Sequence, residues 1–114
     1  MAIPAPDKSY DALMSTDVLE HIFMADVPKV LAEFTRVARK MVVVKVASMA
    51  ELKNFETRGV KKAEFAVDNL HVTSQKLEWW EGEFGKVGWR LGKVLHKLVY
   101  RGYYGGFQAS FVPQ

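Results

Sequence analysis

The sequence predicts an α/β fold built on a partial sheet, and three observations carry that expectation. Between Tyr10 and Ala47 an apolar strand, a polar turn, an amphipathic helix and a β-branched strand follow one another. That order is the strand–crossover–strand unit of a parallel sheet. Residues 73–114 then read as one helix and two strands joined through a glycine-rich turn, RGYYGG. Finally, apolar residues fill 49% of the 114 positions, enough for one domain with a real core.

The chain divides into a loop at residues 1–9, a strand–helix–strand unit at 10–47, an irregular loop at 48–72 and a helix plus hairpin at 73–114. Pro4 and Pro6 keep the first segment irregular. Tyr10–Met14 is a short apolar strand, and Thr16 or Asp17 can cap the turn that begins at Val18. Asp26 suits a helix N-cap, with Pro28 tolerated in the first turn. Val27, Val30, Leu31, Phe34, Val37 and Ala38 recur at helical spacing and form one apolar stripe. Lys29, Glu33 and Arg36 lie opposite, within pairing reach.

Met41–Ala47, with Val42, Val43, Val44 and Val46, suits a strand covered on both faces, and Lys45 marks an exit toward solvent. Residues 48–72 show no clear period, although Met49–Phe55 could form a helical turn; a long irregular stretch after a strand is often functional. Ser74–Val87 is a second helix, capped by Thr73 or Ser74 and ended by Gly88. Its stripe is Leu77, Trp80, Phe84 and Val87. Trp89–Val99 and Phe107–Val112 are the hairpin strands; Leu91, Val94, Leu95, Leu98 and Val99 also fit a helical period, but Gly92 and the β-branched content favour strand.

Composition excludes several classes. Charged residues at 25% with seven Phe, four Tyr and three Trp argue against disorder. The absence of cysteine removes disulfides, thiolate metal sites and thiol nucleophiles. No signal peptide or membrane-length apolar run is present, so a soluble, cytoplasmic protein is expected. The net charge is +3, concentrated beyond Glu83 in Lys86, Arg90, Lys93, Lys97 and Arg101. This tail could meet phosphates, but no nucleic-acid motif accompanies it and a solvated face is the simpler account.

Four segments, in order, resemble the second half of class I S-adenosylmethionine (SAM)-dependent methyltransferases of the type 11/12 kind. They are PAPDKSYD (Pro4–Asp11), STDVLEHI (Ser15–Ile22), RVARKMVVV (Arg36–Val44) and NLHVTSQKLEWW (Asn69–Trp80). The resemblance implies a Rossmann-like sheet whose strands are equivalent to the fourth to seventh of that family, ending in an antiparallel hairpin. It also places the family's first half, with its glycine-rich SAM loop and ribose-binding acid, outside this chain. Gly82, Gly85 and Gly88 cannot stand in for that loop, because they lie in and after a helix. The strand at Tyr10–Met14 would then be an open apolar edge, calling for the missing half or a homodimer partner.

The resemblance implies SAM as cofactor, a small-molecule methyl acceptor, and a methionine-facing turn at Ser15, Thr16 and Asp17. Ligands of open α/β sheets bind at the carboxyl ends of strands, where this turn falls. Asp17, Glu20 and His21, at i, i+3 and i+4, would share a helical face, and His71 would be a fourth ligand to magnesium or manganese. That spacing resembles metal-assisted O-methyltransferases, including small-RNA 2′-O-methyltransferases and ubiquinone-pathway enzymes. A simpler account makes Asp17 a cap, Glu20 a first-turn acid and His21 a packed side chain. Without metal, His21 and His71 are candidate bases for an oxygen or nitrogen acceptor.

Trp80 belongs to the apolar stripe, whereas Trp79 could cover an acceptor pocket or the sheet. Tyr100, Tyr103 and Tyr104 beside Arg101 could stack on a planar ligand or simply decorate a hairpin tip. His96, among lysines, receives no role. Two functions follow: a methyltransferase half-domain, or a non-catalytic module of that descent that binds a protein through its open edge. A basic nucleic-acid binder is the weaker third.

Overall fold

The computed structural model describes residues 2–48, 72–100 and 103–114. Strand β1 is Tyr10–Thr16, helix α1 is Val27–Val37, and strand β2 is Ala38–Ala47. Helix α2 is Leu77–Lys86, followed by β3 at Trp89–Tyr100 and β4 at Tyr103–Pro113. Two short 3-10 turns, Leu19–His21 and Met24–Asp26, connect β1 to α1.

The sheet order is β1-β2-β4-β3. Strands β1 and β2 are parallel, and β4 runs antiparallel to both β2 and β3. This is the expected partial Rossmann-like sheet with its terminal hairpin. The ambiguous segment from Trp89 is strand. Gly92 sits at an irregularity in the β3–β4 register, where the Lys93 amide donates to Ser110 Oγ at 3.0 Å.

Paired residues of adjacent strands share a face, because side chains alternate along each strand. Ser15, Val44 and Ala109 are one such row, and Leu13, Val42 and Phe111 another. Val42, Val44, Val46, Phe107, Ala109 and Phe111 are buried with the α1 and α2 stripes in a single core. Phe84 stacks on Phe111 with ring centres 3.9 Å apart. Every member of the α1 stripe read from the sequence is buried. The stripe ends one residue later than the helix does, since Ala38 already starts β2.

The opposite face differs from the expectation of a strand covered on both sides. Val43 and Ser110 are buried, but Met14 is 69% and Met41 36% exposed. The two helices lie against the other face, with the core, so this one is only partly sheltered among the described residues. There, too, β1 pairs with β2 alone, which leaves its outer edge open.

Residues 2–9 are irregular, as Pro4 and Pro6 require, yet they are fastened to α1. Arg36 donates to the carbonyls of Ile3 and Ala5 at 2.9 Å and to Asp7 Oδ1 at 2.6 Å. Glu33 Oε1 accepts from the Ile3 amide at 2.6 Å, and Lys8 Nζ donates to the Thr35 carbonyl at 2.5 Å.

Several expected caps do not form. The turn at Leu19 has no side-chain cap from Thr16 or Asp17, because Asp17 adopts a left-handed φ of 57° that carries it away. Asp26 stands at the N-cap of α1 with helical backbone angles and makes no capping bond. Helix α2 begins at Leu77, three residues later than predicted, with Lys76 as an uncapped N-cap. Gly88 does end that segment, with φ of 82°. The predicted turn at Met49–Phe55 lies outside the described residues. No helix among them is long and apolar enough to cross a membrane.

Candidate functional site

The carboxyl ends of β1 and β2 lie side by side, because the two strands are parallel and in register up to Thr16 and Lys45. Ser15 is buried there, and its hydroxyl has no hydrogen-bond partner among the described residues. Ser48, one residue beyond β2, is likewise buried, and its hydroxyl also lacks a partner among the described residues. Its amide donates to the Gly105 carbonyl at 2.9 Å, which fixes the exit of the strand. Unsatisfied buried hydroxyls are uncommon in folded proteins, so two at one sheet end mark a place suited to a polar ligand.

Asp17 closes the end of β1. Its amide donates to the Lys45 carbonyl at 3.0 Å, and its carboxylate lies 3.7 Å from Lys45 Nζ. A left-handed residue other than glycine is a small strain, and such strain gathers at ligand-binding turns. Lys45 does not simply exit to solvent; it braces this turn. Thr16 is exposed beside it.

The structure does not bring Asp17, Glu20 and His21 onto one helical face. The segment is a 3-10 turn of three residues, and Asp17 lies outside it in the left-handed region, so the i, i+3, i+4 geometry of an α-helix is absent. Glu20 points inward, 1% exposed, with Oε2 unpartnered among the described residues. The His21 imidazole is 40% exposed, and its Nε2 stands 3.8 Å from Glu20 Oε1. No group of three or more possible metal ligands converges among the described residues. His71, the fourth residue of that reading and the second candidate base, lies outside them.

Thr73, one of the two expected caps of the second helix, does different work. Its amide donates to the Glu20 carbonyl at 3.1 Å, and its hydroxyl to the Ile22 carbonyl at 2.5 Å. It thereby ties the chain before α2 to the 3-10 turn that holds Glu20 and His21. Nothing in the local sequence signals this, since the partners are about fifty positions apart. Trp80 is fully buried in the core, and Trp79 packs edge-on against it with ring centres 4.9 Å apart. Trp79 is therefore half-buried cover for the core.

Beside this turn is a cleft of about 340 Å³ lined by His21, Ile22, Phe23, Asp26, Lys29 and Val30. Phe23 is 67% exposed on its wall. Asp26, expected as a cap, and Lys29, expected to pair along α1, line this cleft together with His21; a three-residue 3-10 turn such as Met24–Asp26 has no sequence period to announce it.

Residues 1–44 match a family model described as methyltransferase domain. No curated protein matches the chain in sequence. Among solved structures, magnesium protoporphyrin IX methyltransferase of Synechocystis PCC 6803 with bound SAH is similar over 98% of this chain and 47% of its own, at TM-score 0.67 and 16% identity. The same enzyme with bound SAM gives a TM-score of 0.62 at 14% identity, over 98% of this chain and 41% of its own. LepI in complex with SAM is similar over all of this chain and 28% of its own, at TM-score 0.60 and 14% identity. The chain thus spans half or less of the length of these structures, and at such identities the likeness is one of fold.

Proposed function

We propose that this chain, which carries part of a class I SAM-dependent methyltransferase domain, supplies the acceptor side of a SAM site and serves methyl transfer to a small molecule. The observation that supports this reading is the turn at Ser15–Asp17. It falls inside the matched residues, at the carboxyl edge of the sheet, and combines a left-handed Asp17 with a buried Ser15 hydroxyl that has no partner among the described residues. Ser15, Thr16 and Asp17 would face the methionine part of the cofactor.

When bound, SAM supplies an electrophilic methyl group: the acceptor's lone pair forms the new bond to carbon as the sulfur–carbon bond breaks, and its electrons remain on sulfur. The chain's own task is alignment and proton removal. His21 would take the proton of an oxygen or nitrogen acceptor, with His71 as the other candidate. A magnesium or manganese ion held by Asp17, Glu20, His21 and His71 is a further form of the reading; the separation of Asp17 from the Glu20 turn weighs against it.

The test is calorimetry of SAM with the purified chain, with and without magnesium or manganese, and again after adding a polypeptide that supplies the glycine-rich half of the fold. Binding in any arm supports the reading, and metal-dependent enhancement supports the ion. No binding in every arm overturns it. A second reading has its own support in the open β1 edge and in exposed Tyr10, Met14 and Met41. There the chain is a non-catalytic module that pairs with a protein or a second copy of itself, and association without SAM binding is its signature.

A further inference from the structure

We infer that the cleft beside α1 binds a small aromatic hydroxy acid, with its carboxylate on Lys29 and its hydroxyl toward Asp26 and His21. At about 340 Å³ the cleft lies near the lower end of the range for small-molecule sites, roughly 300–1,000 Å³. Its walls are mixed. Ile22, Phe23 and Val30 offer apolar surface, and the exposed Phe23 ring suits offset stacking with a flat ligand.

Asp26 makes no capping bond despite its N-cap position, and neither Asp26 nor Lys29 has an ion pair or side-chain hydrogen bond among the described residues. A carboxylate of the ligand would satisfy Lys29 through a charge-assisted bond. Asp26 then discriminates: it repels a second acid and accepts a hydrogen bond from a hydroxyl. With the hydroxyl held at Asp26 and His21, an amine in place of the acid would meet Lys29 and lose the charge-assisted contact. A monoacid bearing a hydroxyl on a flat apolar body fits this arrangement.

This rests on the methyl-transfer reading only in making the hydroxyl beside His21 the acceptor; the binding itself does not need SAM. The probe is 4-hydroxyphenylacetate, titrated into the 114-residue chain without SAM and followed by amide chemical shifts. Saturable shifts centred on residues 21–30 are expected. Tyramine and 4-ethylphenol, which replace the acid with an amine or a methyl, should bind at least about tenfold more weakly, the scale of one charge-assisted contact.

Lys29 is exposed, so Lys29→Met should leave the remaining spectrum unchanged while weakening binding by a similar factor, and Lys29→Arg should recover most of it. Absence of saturable shifts in this segment, or equal binding by Lys29→Met, overturns the inference. Probe binding by a chain that never binds SAM would sink the methyl-transfer reading and leave this one standing. SAM binding without probe binding would do the reverse.

Discussion

Arg36 holds Glu33 through both carboxylate oxygens, at 2.9 and 2.7 Å, while the same guanidinium reaches the carbonyls of Ile3 and Ala5. A planar fork with five donors can do this, whereas a lysine ammonium cannot. The pair converts a proline-bearing leading segment into a strap across the end of α1. Replacing Arg36 with Lys should therefore leave the helix intact but loosen the strap. Hydrogen exchange at the Ile3 amide should rise by roughly tenfold or more, with smaller changes in the β-strands.

Acid should release the same strap. The Arg36 hydrogen bonds, and then the Ile3 amide, hold the Glu33 carboxyl down to about 2 from its ordinary 4.5. A depressed carboxyl contributes stability above its unfolded value and loses it as pH falls. The loss should thus run between about pH 4.5 and 2. Asp11, lowered by its bond to Arg39, acts in the same direction. Urea unfolding across this range should show a smaller acid-induced decline in Glu33→Gln than in the parent chain; identical slopes would refute the assignment.

Gly92 is needed for space. A β-carbon there would meet Ser110 Oγ at 2.9 Å and the Ser110 carbonyl at 3.3 Å. Gly92→Ala should cost about 1–3 kcal/mol, the usual range for overpacking. Adding Ser110→Ala should recover part of that loss by clearing the nearer atom. A neutral single variant in chemical denaturation would show that the strand shifts without cost.

Asp17 tests conformation apart from chemistry. Asp17→Asn keeps a residue that tolerates the left-handed region and should fold with near-parental stability. Asp17→Val should lose about 1–2 kcal/mol at the same φ. If the turn faces a ligand, Asp17→Gly should keep the fold yet change SAM binding, and calorimetry beside thermal melts separates the two effects.

Met14 tests the open edge. Because it is 69% exposed, Met14→Lys should change the stability of the isolated chain by less than about 0.5 kcal/mol. If β1 docks against another strand, the same change should abolish association in light scattering, since a lysine on an edge strand opposes pairing. Unaltered association would place the contact elsewhere.

The periodicity of Val27, Val30, Leu31, Phe34 and Val37 makes one helix face legible in the sequence, and all five are buried. The β-branched run at Val42–Val46 did the same for the central parallel strand. The site was less legible. An i, i+3, i+4 argument for Asp17, Glu20 and His21 assumes an α-helix, and a three-residue 3-10 turn entered through a left-handed residue breaks it. Asp26 looked like a cap because Asp before Val-Pro is a frequent cap, but its backbone is already helical there.

By itself, then, the sequence determined the order of strands and helices, the buried stripe of α1 and the parallel–antiparallel character of the sheet. The stripe follows from local periodicity, and the strand senses follow from the order of elements and the length of their connections, both of which a linear chain displays directly. Only the tertiary structure decided that Arg36 straps residues 3–7, that Thr73 ties α2 to the 3-10 turn, and that Asp26 and Lys29 share a cleft with His21. Each of these rests on groups that approach through a turn or across tens of residues, and hydrogen bonds of that kind leave no period in the sequence.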